Sequence, residues 1–171
     1  MRQCDYSRRN RKVGGVTVGS VNKVDGKRVR DKKLSCFVCH QKVLWLSRHF
    51  ESQHSENLLV ARVLAKTGHE RLQGLRCLKN LGSFHHNIDV LRKGEGELVV
   101  VRRSNGKQDP LSYLPCGQCF GFYYKFDLWR HRCPARNAGD KRESRDVLDN
   151  SRSLLEGAMG ADGSECHINK H

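Results

Sequence analysis

The chain has 171 residues, 37% of them hydrophobic, with 16 Gly and a mean hydropathy of −0.69. That composition excludes one large, well-filled core. After the polar start at Met1 no secretory signal is expected, and no apolar run is long enough to span a bilayer. The formal charge is +14 and unevenly placed: residues 1–33 carry eleven Lys/Arg against three Asp, while residues 136–171 carry six basic against seven acidic residues. Such an excess favours a polyanionic partner through release of condensed counterions.

Residues 1–33 hold few large apolar side chains and two basic clusters, at 8–12 and 27–33. The segment reads as a disordered arm, since it buries too little to offset its ordering entropy, and its clusters fit a nuclear-import signal. The expected localisation is therefore nuclear.

The first small module spans residues 34–65. Cys36, Cys39, His49 and His54 follow the spacing C-x2-C-x9-H-x4-H. Two thiolates two residues apart reach one ion from a tight turn, and two imidazoles projecting from one side of a helix close the tetrahedron. In a reducing compartment such pairs hold metal rather than form disulfides. Leu46 is the core residue the module needs, with Phe37 or Trp45 covering the other side. The gap of nine requires an abbreviated or absent hairpin. His40, next to a ligand, is expected to face solvent.

Ser55 is the expected cap of a helix with Leu58, Leu59, Val63 and Leu64 on one face, ended by Thr67-Gly68. In the spacer, residues 66–112, a second helical pattern through Leu72, Leu75, Leu78 and Leu81 stops at Gly82. His85 and His86 are expected to cap or pack, ahead of a short helix reaching Leu91. Residues 97–102 read as a strand, and Ser104-Asn105-Gly106 as a turn.

The second module spans residues 113–135. Cys116, Cys119, His131 and Cys133 follow C-x2-C-x11-H-x-C. His131 and Cys133 are too close to share one helical face. If Cys133 is the fourth ligand, the helix must end at His131, which Pro134 favours. Phe122 and Leu128 form the expected aromatic–leucine core. Trp129 reads as core as well, while Tyr123 and Tyr124 remain open between core and base stacking. The two cysteine modules look like distant versions of one unit. Cys77 reads as a small buried apolar residue. Cys4 and Cys166 have no partner at ligand spacing. Residues 136–171 read as a mostly disordered polar tail with a short helix around 147–155.

The order of these parts resembles a family of largely uncharacterised animal proteins with paired zinc fingers. The motifs that carry the likeness are a C-x2-C…R-H-x4-H finger, G-x-F-x-H-N-x-x-V-L at 82–91, G-x-G-E-L-x-V-V-R-R at 94–103 and Y-L-P-C-x-x-C-x-G-F-Y…L-W-R-H at 113–131. Longer members continue into a region similar to mobile-element tyrosine recombinases. The resemblance implies a zinc-dependent, DNA-associated module of transposon origin. This chain closes its second site with H-x-C where the family has H-x3-C, and it ends at His171 before any recombinase-like region, as a truncated copy would.

The fold class expected is small α+β: two zinc-finger-like modules joined by a helical spacer and a short strand or hairpin, with disordered basic N-terminal and polar C-terminal tails. The expected cofactor is two Zn2+ ions. Both sites read as closed by four ligands, and no nucleophile–base pair or phosphate loop is arranged, so the chain reads as no enzyme. Arg48, Arg102, Arg103, Arg130 and Arg132 are the candidate phosphate contacts. The expected function is low-specificity nucleic-acid binding, DNA favoured, with no membrane and no small-molecule substrate. The alternative is a zinc-stabilised protein–protein interaction module.

Overall fold

The computed structural model of the chain describes residues 14–133, 135 and 144–160. The architecture is small α+β: among the described residues, five α-helices and eight short strands in two-stranded pairs. No helix among the described residues is long and apolar enough to cross a membrane.

Part of the basic arm is ordered, against the compositional expectation. Strand β1 (Gly15–Val18) pairs in parallel with β6 (Glu95–Leu98), and β2 (Lys23–Val24) with β3 (Lys27–Arg28) in a hairpin. The charge count hid two apolar anchors: Val16 is buried and Val18 packs beside it. Lys32 donates to the carbonyls of Val100 and Val101, and Asp31 pairs with Arg103 at 2.9 Å. The cluster at 8–12 lies outside the described residues.

In the first module β4 (Leu34–Ser35) and β5 (Lys42–Val43) form an antiparallel hairpin, abbreviated but kept. Helix α1 (Leu46–Gln53) follows, then α2 (Leu58–Leu64). The cap of α2 is Asn57 rather than Ser55, its side chain accepting from the amides of Leu59 and Val60. Leu58 and Leu59 are exposed, and Val60, Val63 and Leu64 face inward instead.

The spacer is dominated by one helix, α3 (Gly68–Lys93), of 26 residues and so about 39 Å long at 1.5 Å per residue. It does not stop at Gly82. Glycine stands there because the helix presses against the first knuckle: a Cβ at Gly82 would collide with the Ser35 carbonyl and lie 2.8 Å from Phe37 N. The helix ends at Gly94, whose φ of 75° is the left-handed cap that glycine favours. His86 packs within α3, its Nε2 3.0 Å from the Glu97 carbonyl. Strand β6 ends at Leu98, short of the expected Arg102. The buried Asn87 side chain takes over, accepting from Val99 N at 2.7 Å and donating to Val99 O at 3.0 Å. The expected turn at 104–106 is a bend.

The second module repeats the hairpin with β7 (Tyr113–Pro115) and β8 (Phe122–Tyr124), followed by the four-residue α4 (Lys125–Leu128). The tail also corrects the expectation. Helix α5 (Ser144–Gly160) is longer than 147–155 and docks Leu155, Ala158 and the fully buried Ser151 against the second core.

Two hydrophobic clusters result. One gathers Leu46, Phe50 and Val60 with Leu75 and Leu78 of α3; the other gathers Phe122, Leu128 and Leu155 with Phe84, Ile88 and Val90 of α3. The long helix is the shared wall of both.

Candidate metal centres

The two knuckles are built alike, hydrogen bond for hydrogen bond. In the first, Cys36 N donates to Gln41 O at 2.9 Å and His40 N to Cys36 O at 3.0 Å. In the second, Cys116 N donates to Gly121 O at 2.9 Å and Phe120 N to Cys116 O at 3.0 Å. His40 and Phe120, each just after the second Cys, both have φ of 59°. That left-handed residue turns the chain so that two thiols two residues apart face one point. His40 is exposed, as expected of a residue that supplies backbone rather than a ligand.

In the first site Cys39 Sγ lies 3.3 Å from His49 Nε2, and the rings of His49 and His54 meet edge-on with centroids 4.9 Å apart. His49 rides on α1. His54 does not share the helix, contrary to expectation: it is the capping residue just beyond, with φ of −137°. Leu46 and Phe50 hold α1 down, both buried, and Phe37 meets Phe50 at 5.7 Å. Of the two candidate covers, Phe37 covers and Trp45 is exposed. Phe50 went unnoticed in the sequence, although it stands one helical turn after Leu46.

In the second site Cys119 Sγ lies 3.3 Å from His131 Nε2, and Cys116 and Cys133 sulfurs are 3.8 Å apart. Helix α4 ends at Leu128, three residues before His131, and the chain then turns, so His131 and Cys133 converge without sharing a face. Tyr123 belongs to this site. Its ring stacks on His131 with centroids 4.0 Å apart, and its hydroxyl lies 3.8 Å from Cys119 Sγ. Trp129, expected in the core, is exposed: Phe122 and Leu128 already fill the space beneath the knuckle, and both are buried.

In each cluster the four donor atoms lie within 4.8 Å of one another, so Cys36, Cys39, His49 and His54 could hold one metal ion, and Cys116, Cys119, His131 and Cys133 a second. The donor sets fit tetrahedral zinc in a closed, structural site. In the first, His54 Nε2 is buried without a hydrogen-bond partner, an orphan that coordination satisfies. Burial, and then the neighbouring His54, lower the pKa of His49, favouring the neutral ring that ligates. Burial pushes the Cys36 thiol up. In the second, hydrogen bonds shared with Cys119 and Cys133 hold the Cys116 thiol well below the ordinary range, while Cys119 and Cys133 are pushed up by their bonds to Cys116. Three thiols this close cannot all ionise unless a cation neutralises them. Cys77 is partly buried against the second core, and burial raises its pKa as well.

Of the candidate phosphate contacts, Arg48, Arg102, Arg130 and Arg132 are exposed. Arg103 is committed elsewhere, 2.9 Å from Asp31 and 3.3 Å from Glu97. Arg102 stands beside Arg28 and Lys32 at a cavity of about 170 Å³.

Fold and donors together define a protein with two knuckle-and-helix modules, each able to hold one metal ion. Comparison with family models, with curated proteins and with solved structures finds no match.

Proposed function

We propose that the chain is a non-enzymatic zinc protein that binds nucleic acid, DNA in the first place, through phosphate contacts with little base preference. Its place is the nucleus, on the strength of the basic clusters at 8–12 and 27–33, and its origin a mobile element, as the resemblance of residues 36–133 implies. One observation carries the binding: among the described residues Arg48, Arg102 and Arg132, close to the metal clusters or to the Arg28–Lys32 cavity, form no ion pair, in a chain of formal charge +14. Exposed guanidinium groups on rigid modules suit phosphate oxygens, which each accept from a planar fork. Zinc supplies rigidity rather than chemistry, since four protein ligands leave it no open position.

The test is fluorescence anisotropy of the zinc-loaded chain with duplex DNA, single-stranded DNA and RNA over a salt series. Log K should fall linearly and steeply with log salt and change little between sequences. Removing residues 1–13, five Lys/Arg against one Asp, should flatten that slope by up to about 4 while sparing β1. Failure to bind any of the three at low salt, with recovery of a protein partner, would put the interaction-module reading in its place.

A further inference from the structure

The second module leaves two large aromatic side chains in solvent. Phe126 is 60% exposed and Trp129 is 56% exposed. They are three residues apart, and Trp129 keeps helical backbone angles at the end of α4, so both rings stand on one side of the turn. The core does not need them, because Phe122 and Leu128 close it at 1% exposure each. Cations flank the pair of rings: Lys125 Nζ lies 5.2 Å from the Phe126 centroid and the Arg130 guanidinium 5.0 Å from that of Trp129. Tyr124 backs Phe126 at 5.4 Å between centroids. One acid is present, Asp127, 3.8 Å from Arg130, against three exposed cations, Lys125, Arg130 and Arg132.

Exposed aromatic rings flanked by positive charge match a ligand that offers flat apolar surfaces on an anionic backbone. Unpaired bases do so. Paired bases hide their faces inside the stack. We infer that Phe126 and Trp129 form a stacking platform for unpaired bases of single-stranded DNA, with Lys125 and Arg130 holding the flanking phosphates. The inference rests on the nucleic-acid reading above and adds a strand preference that the charge alone does not supply. Tyr123 is not part of the platform, because it is committed to His131 and Cys119.

Trp45→Phe leaves Trp129 as the single tryptophan, whose emission is selected by exciting beyond the tyrosine band, since the chain has two Trp, and Trp45 is itself exposed. In that zinc-loaded chain, a 20-residue oligo-dT should quench the fluorescence strongly and a duplex of the same length weakly. By anisotropy, the double variant Phe126→Ala, Trp129→Ala should bind oligo-dT at least about ten-fold more weakly. Its duplex affinity and its salt slope should stay as they were, because no cation is removed. Trp129→Phe should retain most of the single-strand affinity. The side chains are exposed, so zinc content should be unchanged, which serves as the folding check. An equal loss on both strands' forms, no loss on oligo-dT, or no quenching overturns the platform while duplex binding stands. Absence of binding to duplex and oligo-dT alike overturns the underlying reading instead.

Discussion

Cys36 and Cys116 occupy the same place in two copies of one knuckle, and each is buried within a set of four donors that could hold one metal ion. The purified, reduced chain should therefore carry two zinc equivalents by elemental analysis, and Cys36→Ala should carry one, because the clusters share no ligand. Tyr123 is one of two residues, with Tyr124, whose role the sequence leaves open. Its stacking on His131 and its hydroxyl beside Cys119 orient two ligands, so Tyr123→Ala should weaken zinc at the second site by about 10–100-fold in a chelator competition, with the first site unaffected. Lys32 makes a different kind of statement. Burial, and then Arg103 and Arg28, lower its pKa to about 8 from 10.5. The folded chain thus binds fewer protons than the unfolded chain between those values, and stability from this group rises as pH climbs from about 8 to 10.5. Below pH 8 the full cost of the partly buried ammonium is present. Urea midpoints at pH 7, 8 and 10 should show this rise, and Lys32→Gln, which keeps a donor for the Val100 and Val101 carbonyls, should lose it.

Among the elements, α3 shows how a sequence rule yields to packing. A glycine in a helical pattern signals an end, as Gly82 does in the sequence; the 26-residue helix runs through it because only a missing side chain lets the helix lie on Ser35 and Phe37. Gly82→Ala should destabilise the chain well beyond the usual helix preference for Ala, which would otherwise favour it by about 1 kcal/mol. A thermal melt showing stabilisation would contradict this packing. Asn57→Ala should cost about 1 kcal/mol through loss of the α2 cap. The knuckles are legible because ligand spacing is local: both sets of four donors come within 4.8 Å of one another, although His54 reaches its site from just beyond α1. So was the Phe122–Leu128 core. What was not legible depends on partners far along the chain. Strand β1 looked like a charged arm because its partner is at 95–98, and β6 looked longer because nothing local announces that Asn87 will claim Val99. Trp129 departs from its expected core position for a related reason. Apolar character says that a residue can be buried, while the space beneath the knuckle decides whether it is. Several residues of the motifs that suggested a family, Gly82, Asn87, Gly94 and Leu98 among them, hold backbone and core in place.

At the level of the molecule, the two hydrophobic clusters meet different stretches of α3, Leu75 and Leu78 on one side and Phe84, Ile88 and Val90 on the other. His49→Ala should therefore unfold α1, α2 and the start of α3 while residues 113–133 and α5 keep their amide protection in hydrogen exchange; simultaneous loss would mean a single cooperative unit. The pairing of β1 with β6 also sets an order of events during synthesis. Residues 15–18 find their partner only after residue 98 has been made, by which time both Cys and both His of the first knuckle are available to capture metal. Closing a loop of that length is slow beside forming a local hairpin or a helical turn. The strand that tethers the basic end is thus a late arrival, and a ribosome-bound chain halted before residue 95 should present its first metal centre complete and its amino-terminal strand still without a partner.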